Sequence, residues 1–407
     1  MDVIIRNSRV RGSEKLMDIG ITNTTITEIQ EKIKANALIE LNAHGNLVTP
    51  SFIDAHEHLD DAFIGEYTRM NESGTLQEAI QILRDAKRQY SVEDVKKRAL
   101  RAIQMLVDRG TTHIRSHANV DSFSGLNSIK GLIEARKESQ ELASIQVVAF
   151  PQEAITKEAN SAELMWKSME LGADLVGGMP AGELTEEDSR KHIDIVFDIA
   201  KEFNAGIDMH IDENDDPNSR TLQYFATKAI KENHSNVTAS HACALAYYDE
   251  SYAQKTIELM KLAKMSVIAN PCTNLMLQGR LDKQPIRRGI TRVKDLHAAG
   301  VNVACGQDGI NDPFDQLTGK CDMLQIAWIM GHAAHLSTPS EMEYLFDMIT
   351  TNAAIALKLE RYGLSIGNEA DLNILDGRNI YDAIRMQPDM LYVIKSGKIV
   401  GGTKRQT

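Results

Sequence analysis

Eight apolar, strand-like runs, each followed by a helix-like stretch, recur over about 270 residues of this 407-residue chain. They are Leu47–His56, Thr111–His117, Ile145–Pro151, Leu175–Gly178, Gly206–His210, Val237–His241, Ser266–Asn270 and Asn302–Asp308. Parallel strands covered on both faces read as unbroken apolar runs rather than as alternating ones. Eight such β-then-α units match the size of a (β/α)8 TIM-type barrel. Amphipathic stretches such as Ser91–Asp108, Ser189–Phe203 and Tyr248–Lys264 supply intervening helices, and Cys321–His332 and Ser340–Leu357 add more after the last strand. Both chain ends read as β: Val3–Ile5, Asp18–Ile21 and Thr25–Ile29 at one end, Ala370–Leu375, Met390–Ile394 and Gly397–Val400 at the other. The pattern predicts a small β-sandwich domain formed by residues 1–48 plus 366–407, flanking a catalytic barrel over 49–365.

Polar residues fall where such a barrel does its chemistry, at the C-terminal ends of the strands. The first run ends in His56 and His58. Residues i and i+2 of a strand point the same way, so both imidazoles can reach one ion. The zincin pattern H-E-x-x-H is excluded because position 60 is Asp60, and the nucleic-acid deaminase pattern fails because Leu275 stands where its second cysteine is needed. The fifth run ends in His210, with Glu213 three residues on, and the eighth ends in Asp308. Three imidazoles and one carboxylate suit Zn²⁺ or Fe²⁺ with a coordination position left open. A metal there lowers the pKa of water, so a hydroxide nucleophile exists at neutral pH.

Of the other histidines, His44, His192, His234 and His297 sit beside charged residues and are expected to be solvated. His332 and His335 read as packing or surface residues, while His113 and His117 bracket the second strand and leave contact with the site open.

The net charge of −12 argues against a nucleic-acid partner, whose phosphates demand Lys and Arg. No run of 18 apolar residues suggests a membrane span, and no secretory leader is recognisable, so a cytoplasmic protein is expected. Cys243, Cys272, Cys305 and Cys321 form no C-x-x-C pair and are expected to be reduced. A small neutral or cationic substrate suits such a chain.

Several segments together resemble the amidohydrolase superfamily and, within it, the bacterial cytosine deaminase branch. They are Phe150–Glu153, Asp208–Asp216, Thr238–His241, Leu277–Arg280 and Arg287–Lys294. The resemblance covers nearly the whole chain. It implies a hydrolase of carbon–nitrogen bonds in cyclic amidines, with one divalent metal per chain on His56, His58, His210 and Asp308. It further implies that Gln152 binds the ring carbonyl and adjacent nitrogen, and that Glu213 shuttles a proton to the ring. His241 with Asp308 would orient and deprotonate the attacking water, while Leu76 and Phe314 pack on the ring. The expected reaction turns a cytosine-like free base (cytosine, 5-methylcytosine or a related aminopyrimidine) into its oxo form and ammonia. The alternatives are an amidohydrolase acting on an N-substituted aminotriazine or other cyclic amide, and a silent binding protein on the same scaffold. Relatives of this branch often form oligomers, so a homo-oligomer is admitted, although no surface patch in the sequence argues for one.

One departure stands out. Typical members carry His-Asp-Asp at the last strand, whereas this chain has Gln307-Asp308-Gly309. Loss of the second carboxylate would open space beside the ring at Gly309 and alter the substrate, for instance toward a 5-substituted cytosine.

Overall fold

The computed structural model describes residues 1–403. The chain opens with strands β1 (Val3–Val10), β2 (Met17–Thr22), β3 (Thr25–Gln30), β4 (Ile39–Asn42) and β5 (Leu47–Pro50). Eight more follow: β6 (Phe52–Glu57), β7 (Thr111–Asn119), β8 (Ser144–Phe150), β9 (Leu175–Gly178), β10 (Gly206–Ile211), β11 (Val237–His241), β12 (Ser266–Ala269) and β13 (Asn302–Cys305). The chain closes with β14 (Leu372–Leu375), β15 (Met390–Lys395) and β16 (Lys398–Gly401).

Strands β6 to β13 pair in parallel in chain order, giving a nearly closed (β/α)8 barrel. Nearly every residue of these strands is buried, as their apolar runs require. Several of the helices between them begin where a hydroxyl or carboxylate satisfies the first free N–H groups: Ser91 before Val92–Asp108, Thr185 before Glu186–Glu202, Asp249 before Glu250–Leu262. The barrel's first and last strands meet at their C-terminal ends, where the Asp308 N–H donates to the His56 carbonyl (2.8 Å) and the Gln307 N–H to Asp54 Oδ1 (3.0 Å).

The remaining strands form a second, largely antiparallel sheet from both chain ends, in the order β16-β15-β14-β5-β1-β2-β3, with β4 also on β1. Its own core holds Ile5, Ile19, Ile21, Val48, Leu372 and Ile394. The expected first barrel strand, Leu47–His56, is in fact two strands. Thr49 and Pro50 pair with Asn373 and Leu372 of the terminal sheet, and the barrel begins at Phe52. Pro50 has no N–H to extend a ladder, so the chain can change sheets there.

The terminal sheet is fastened to the N-terminal end of the barrel through buried polar groups. Lys395 donates to Asp371 Oδ2 (2.7 Å) and lies 3.3 Å from His113 Nε2. The Asn373 side chain donates to the Gly110 carbonyl (2.9 Å). All four cysteines are free and buried, and no helix among the described residues is long and apolar enough to cross a membrane.

Candidate active site

The C-terminal ends of the barrel strands surround a cavity of about 430 Å³. His58, His210, Glu213, His241 and Asp308 line it, with Gln152, Leu76 and Phe314 on its walls. His56 lies directly behind, fully buried, its Nε2 3.0 Å from Asp308 Oδ1. His241 and Asp308 both sit at left-handed backbone positions, φ 68° and 77°. Such conformations cost on the order of 1–3 kcal/mol each in non-glycine residues and persist where surrounding structure enforces them.

His56, His58, His210 and Asp308 converge, each offering a ligand atom within 4.8 Å of the others. His58 Nε2 and His210 Nε2 are 3.1 Å apart, and His58 Nε2 is 3.6 Å from Asp308 Oδ1. Burial holds all three imidazoles below their usual pKa, His58 at about 4. Burial opposes the Asp308 charge, but the surrounding histidines more than offset it and keep the carboxyl ionised. Neutral imidazoles this close to one another and to a carboxylate form a donor set suited to a cation. A shared divalent cation satisfies them all.

The tautomer of His56 is set from behind. Ser240 Oγ donates to Asp208 Oδ1 (2.7 Å), so His56 Nδ1–H donates to Ser240 Oγ (2.9 Å) and Nε2 is left free. Asp208 is held ionised against burial by His117 and by Arg115, whose Nη1 donates to it (2.8 Å). On the other wall Asn274 donates to His241 Nδ1 (3.0 Å), which leaves the ring proton on Nε2, 3.9 Å from Asp308 Oδ1. Glu213 Oε1 lies 3.5 Å from His241 Nδ1. Burial, then the nearby Asp308 charge, push its carboxyl well above the ordinary glutamate range, favouring the acid form. Gln152 Oε1 is buried without a partner.

At Gly309 the structure reverses an expectation. The space beside it is not open: a Cβ there would lie 2.0 Å from Oδ2 of Asp312. Asp312, and not Gly309, lines the cavity, with its Oδ1 accepting from the Phe314 N–H (2.7 Å) and the Asp315 N–H (3.1 Å). Burial pushes its carboxyl up to about 7.

Other lining residues have no signature in the sequence. Met179 follows β9 directly, so strand ends alone could have nominated it, but Asp61 and Asp312 lie on loops and Thr273 in the short helix Pro271–Leu277. Of the two histidines left open, His117 packs its ring 4.0 Å from that of His56, while His113 belongs to the opposite end of the barrel. His192, expected in solvent, is fully buried. It lies on the helix face turned to β9, and the charged neighbours that suggested exposure belong to the other faces.

An amidohydrolase family model matches residues 64–401, and the chain belongs to that family of hydrolases. It is 31% identical to N-isopropylammelide isopropyl amidohydrolase of Pseudomonas sp. strain ADP, over 98% of this chain and 97% of that one. It is 30% identical to pterin deaminase of Rhizobium rhizogenes, over 95% of this chain and 89% of that one. Among solved structures it is similar to 5-methylcytosine deaminase from Klebsiella pneumoniae liganded with 5-fluorocytosine. That match has a TM-score of 0.93 and 37% identity, covering 97% of this chain and 96% of that chain.

Proposed function

We propose that the chain is a mononuclear metal-dependent deaminase of a cytosine-like free base, converting a ring C–NH₂ to C=O and releasing ammonia. The observation that carries this reading is the meeting in one cavity of four metal donors, a carboxyl kept in its acid form (Glu213) and an unpartnered buried amide (Gln152). The likeness to a 5-methylcytosine deaminase over nearly the whole chain supports it.

His56, His58, His210 and Asp308 would hold one Zn²⁺ or Fe²⁺, which when bound would lower the pKa of water enough to supply a nucleophile at neutral pH. Gln152 offers an acceptor and a donor side by side, matching the N–H and C=O edge of an oxopyrimidine. Leu76 and Phe314 flank the ring. His241, oriented by Asn274 with its ring proton on Nε2, donates to the attacking water and orients it, and Asp308 takes up the water's proton. Glu213 passes a proton to the ring nitrogen beside the reacting carbon, which offsets negative charge as aromaticity is lost. Asp308 then gives the proton it took from water to the amino group as the C–N bond breaks and ammonia leaves. Glu213 takes the remaining hydroxyl proton, so the carbon keeps the water oxygen as C=O and the acid form of Glu213 is restored.

Incubating metal-loaded protein with cytosine, 5-methylcytosine, isocytosine and creatinine should release ammonia from at least one pyrimidine. Silence on all would sink the reading. The identity to an N-isopropylammelide hydrolase favours a second reading, in which the leaving group is an alkylamine from an aminotriazine. The same residues serve it, and the product, amine or ammonia, separates the two.

A further inference from the structure

The mechanism above makes no use of a buried carboxylate–imidazole pair formed by Glu183 and His192. Glu183 and His192 both have fully buried side chains, and His192 Nδ1 lies 2.7 Å from Glu183 Oε1. The pair faces neither the metal donors nor solvent. Its remaining bonds all go to loops that carry cavity walls.

Glu183 Oε1 accepts the backbone N–H groups of Ile155 (2.8 Å) and Thr156 (2.9 Å), and Oε2 accepts the Thr156 hydroxyl (2.6 Å). Those residues lie midway along the loop after β8, the loop that bears Gln152. His192 Nε2 accepts the N–H of Met179 (3.1 Å), the first residue after β9 and a lining residue of the cavity. Since a backbone N–H can only donate, the ring proton sits on Nδ1 and is given to Glu183. Burial opposes the Glu183 charge, yet the hydrogen bonds from His192 and Thr156 hold its carboxyl down at about 2, so the pair is a carboxylate with a neutral imidazole.

The other side of the Gln152 loop is fixed independently. Glu153 receives Arg84 Nη2 (2.6 Å) and the fully buried Lys87 Nζ (3.3 Å). Gln152 therefore stands between two anchors, and one of them is shared with Met179 on the neighbouring wall.

We infer that Glu183 and His192 are positioning residues that set the distance between Gln152 and Met179, and with it the fit of the substrate ring. The inference rests on the deaminase reading for its kinetic test. Loosening an element that grips the ring equally in ground and transition states raises KM and leaves kcat alone. A merely structural role lowers the active fraction instead, so kcat falls at unchanged KM.

The test compares wild type, His192→Asn, Gln152→Ala and the double variant on whichever base the wild type turns over, with metal content measured in parallel. His192→Asn keeps a donor near Glu183 but cannot reach the Met179 N–H. Its KM should rise between about ten- and a hundredfold, the cost of small misplacements at an active site, with kcat within about twofold and metal retained. In the Gln152→Ala background the same change should add little, because coupled positions are not additive. A loss confined to kcat, or full additivity with Gln152→Ala, overturns the inference. Thr156→Val removes only one hydroxyl donor and should show the same KM-only pattern at smaller amplitude, which covers failure of His192→Asn to fold. Absence of wild-type turnover counts against the deaminase reading instead. In that case a crystal structure of His192→Asn with Gln152 and Met179 unmoved still overturns the positioning role.

Discussion

His113 and His117 stand four residues apart on one face of β7, yet they belong to opposite ends of the barrel with opposite chemistry. His113 lies beside Lys395, Asp371 and the Thr112 hydroxyl, and its neighbours are paired: Lys395 with Asp371, Asp371 also with the Ser396 N–H. His117 has both ring nitrogens buried without a hydrogen bond, as are His56 Nε2, His210 Nδ1 and Gln152 Oε1 nearby. Buried polar atoms are nearly always satisfied, so a cluster left open marks a place built for something that arrives later. At the end joined to the terminal sheet the charged groups are paired within the protein, and the open atoms are the neutral Thr111 Oγ1 and Asn373 Oδ1. At the other end the open atoms gather in one cluster of imidazoles and an amide around the cavity.

Four substitutions would break or sharpen that contrast. At the open end Glu213→Gln should lower turnover by about 10³-fold, within the range for a lost general acid, with metal content near that of wild type. Activity within tenfold of wild type would remove Glu213 from the proton path. At the closed end Lys395→Met should destabilise by about 3 kcal/mol, because it strands the buried Asp371 charge, while kcat per folded molecule is unchanged. Denaturant titration beside an active-site count reads both, and a stability loss under about 1 kcal/mol would refute the ion pair's role. Ser240→Ala should leave stability largely intact yet weaken metal binding by about 10- to 100-fold, since His56 loses the partner that fixes its tautomer. Competition with a chelator measures it; unaltered affinity would mean that Asp208 acts without the serine. The smallest effect belongs to Lys398, three residues beyond Lys395, whose bond to Glu141 joins two exposed side chains. Lys398→Met should leave the denaturation midpoint close to that of wild type and indistinguishable from it at high salt, and a loss as large as that of Lys395→Met would show that exposure does not separate the two lysines.

Much of the barrel was legible because burial on both faces writes strands as apolar runs; β9 and β11 match their expected limits residue for residue. The convergence of His56, His58, His210 and Asp308 was legible because they stand at or just beyond the ends of such runs. The division at Ser51 was not, since Leu47–His56 is one apolar stretch and only Pro50 hints that the ladder must stop. Asp312 was hidden for a different reason. Its carboxyl enters the cavity because Gly309 has no side chain to exclude it, and that pairing is spatial. His192 was misplaced because one helix turn carries charged residues on three faces while the fourth is buried. Long-range partners such as Asp208 and Arg115 leave no mark on local pattern at all.

The join between β6 and β13 has a consequence in time. His56 and His58 come from the first barrel strand and Asp308 from the last, and the Asp308 N–H already bonds the His56 carbonyl across that join. During synthesis the donor set cannot assemble until the chain beyond residue 308 has emerged and the barrel has shut. An ion held there would act afterwards as a latch on the same seam, so metal loading and ring closure of the fold would report on each other.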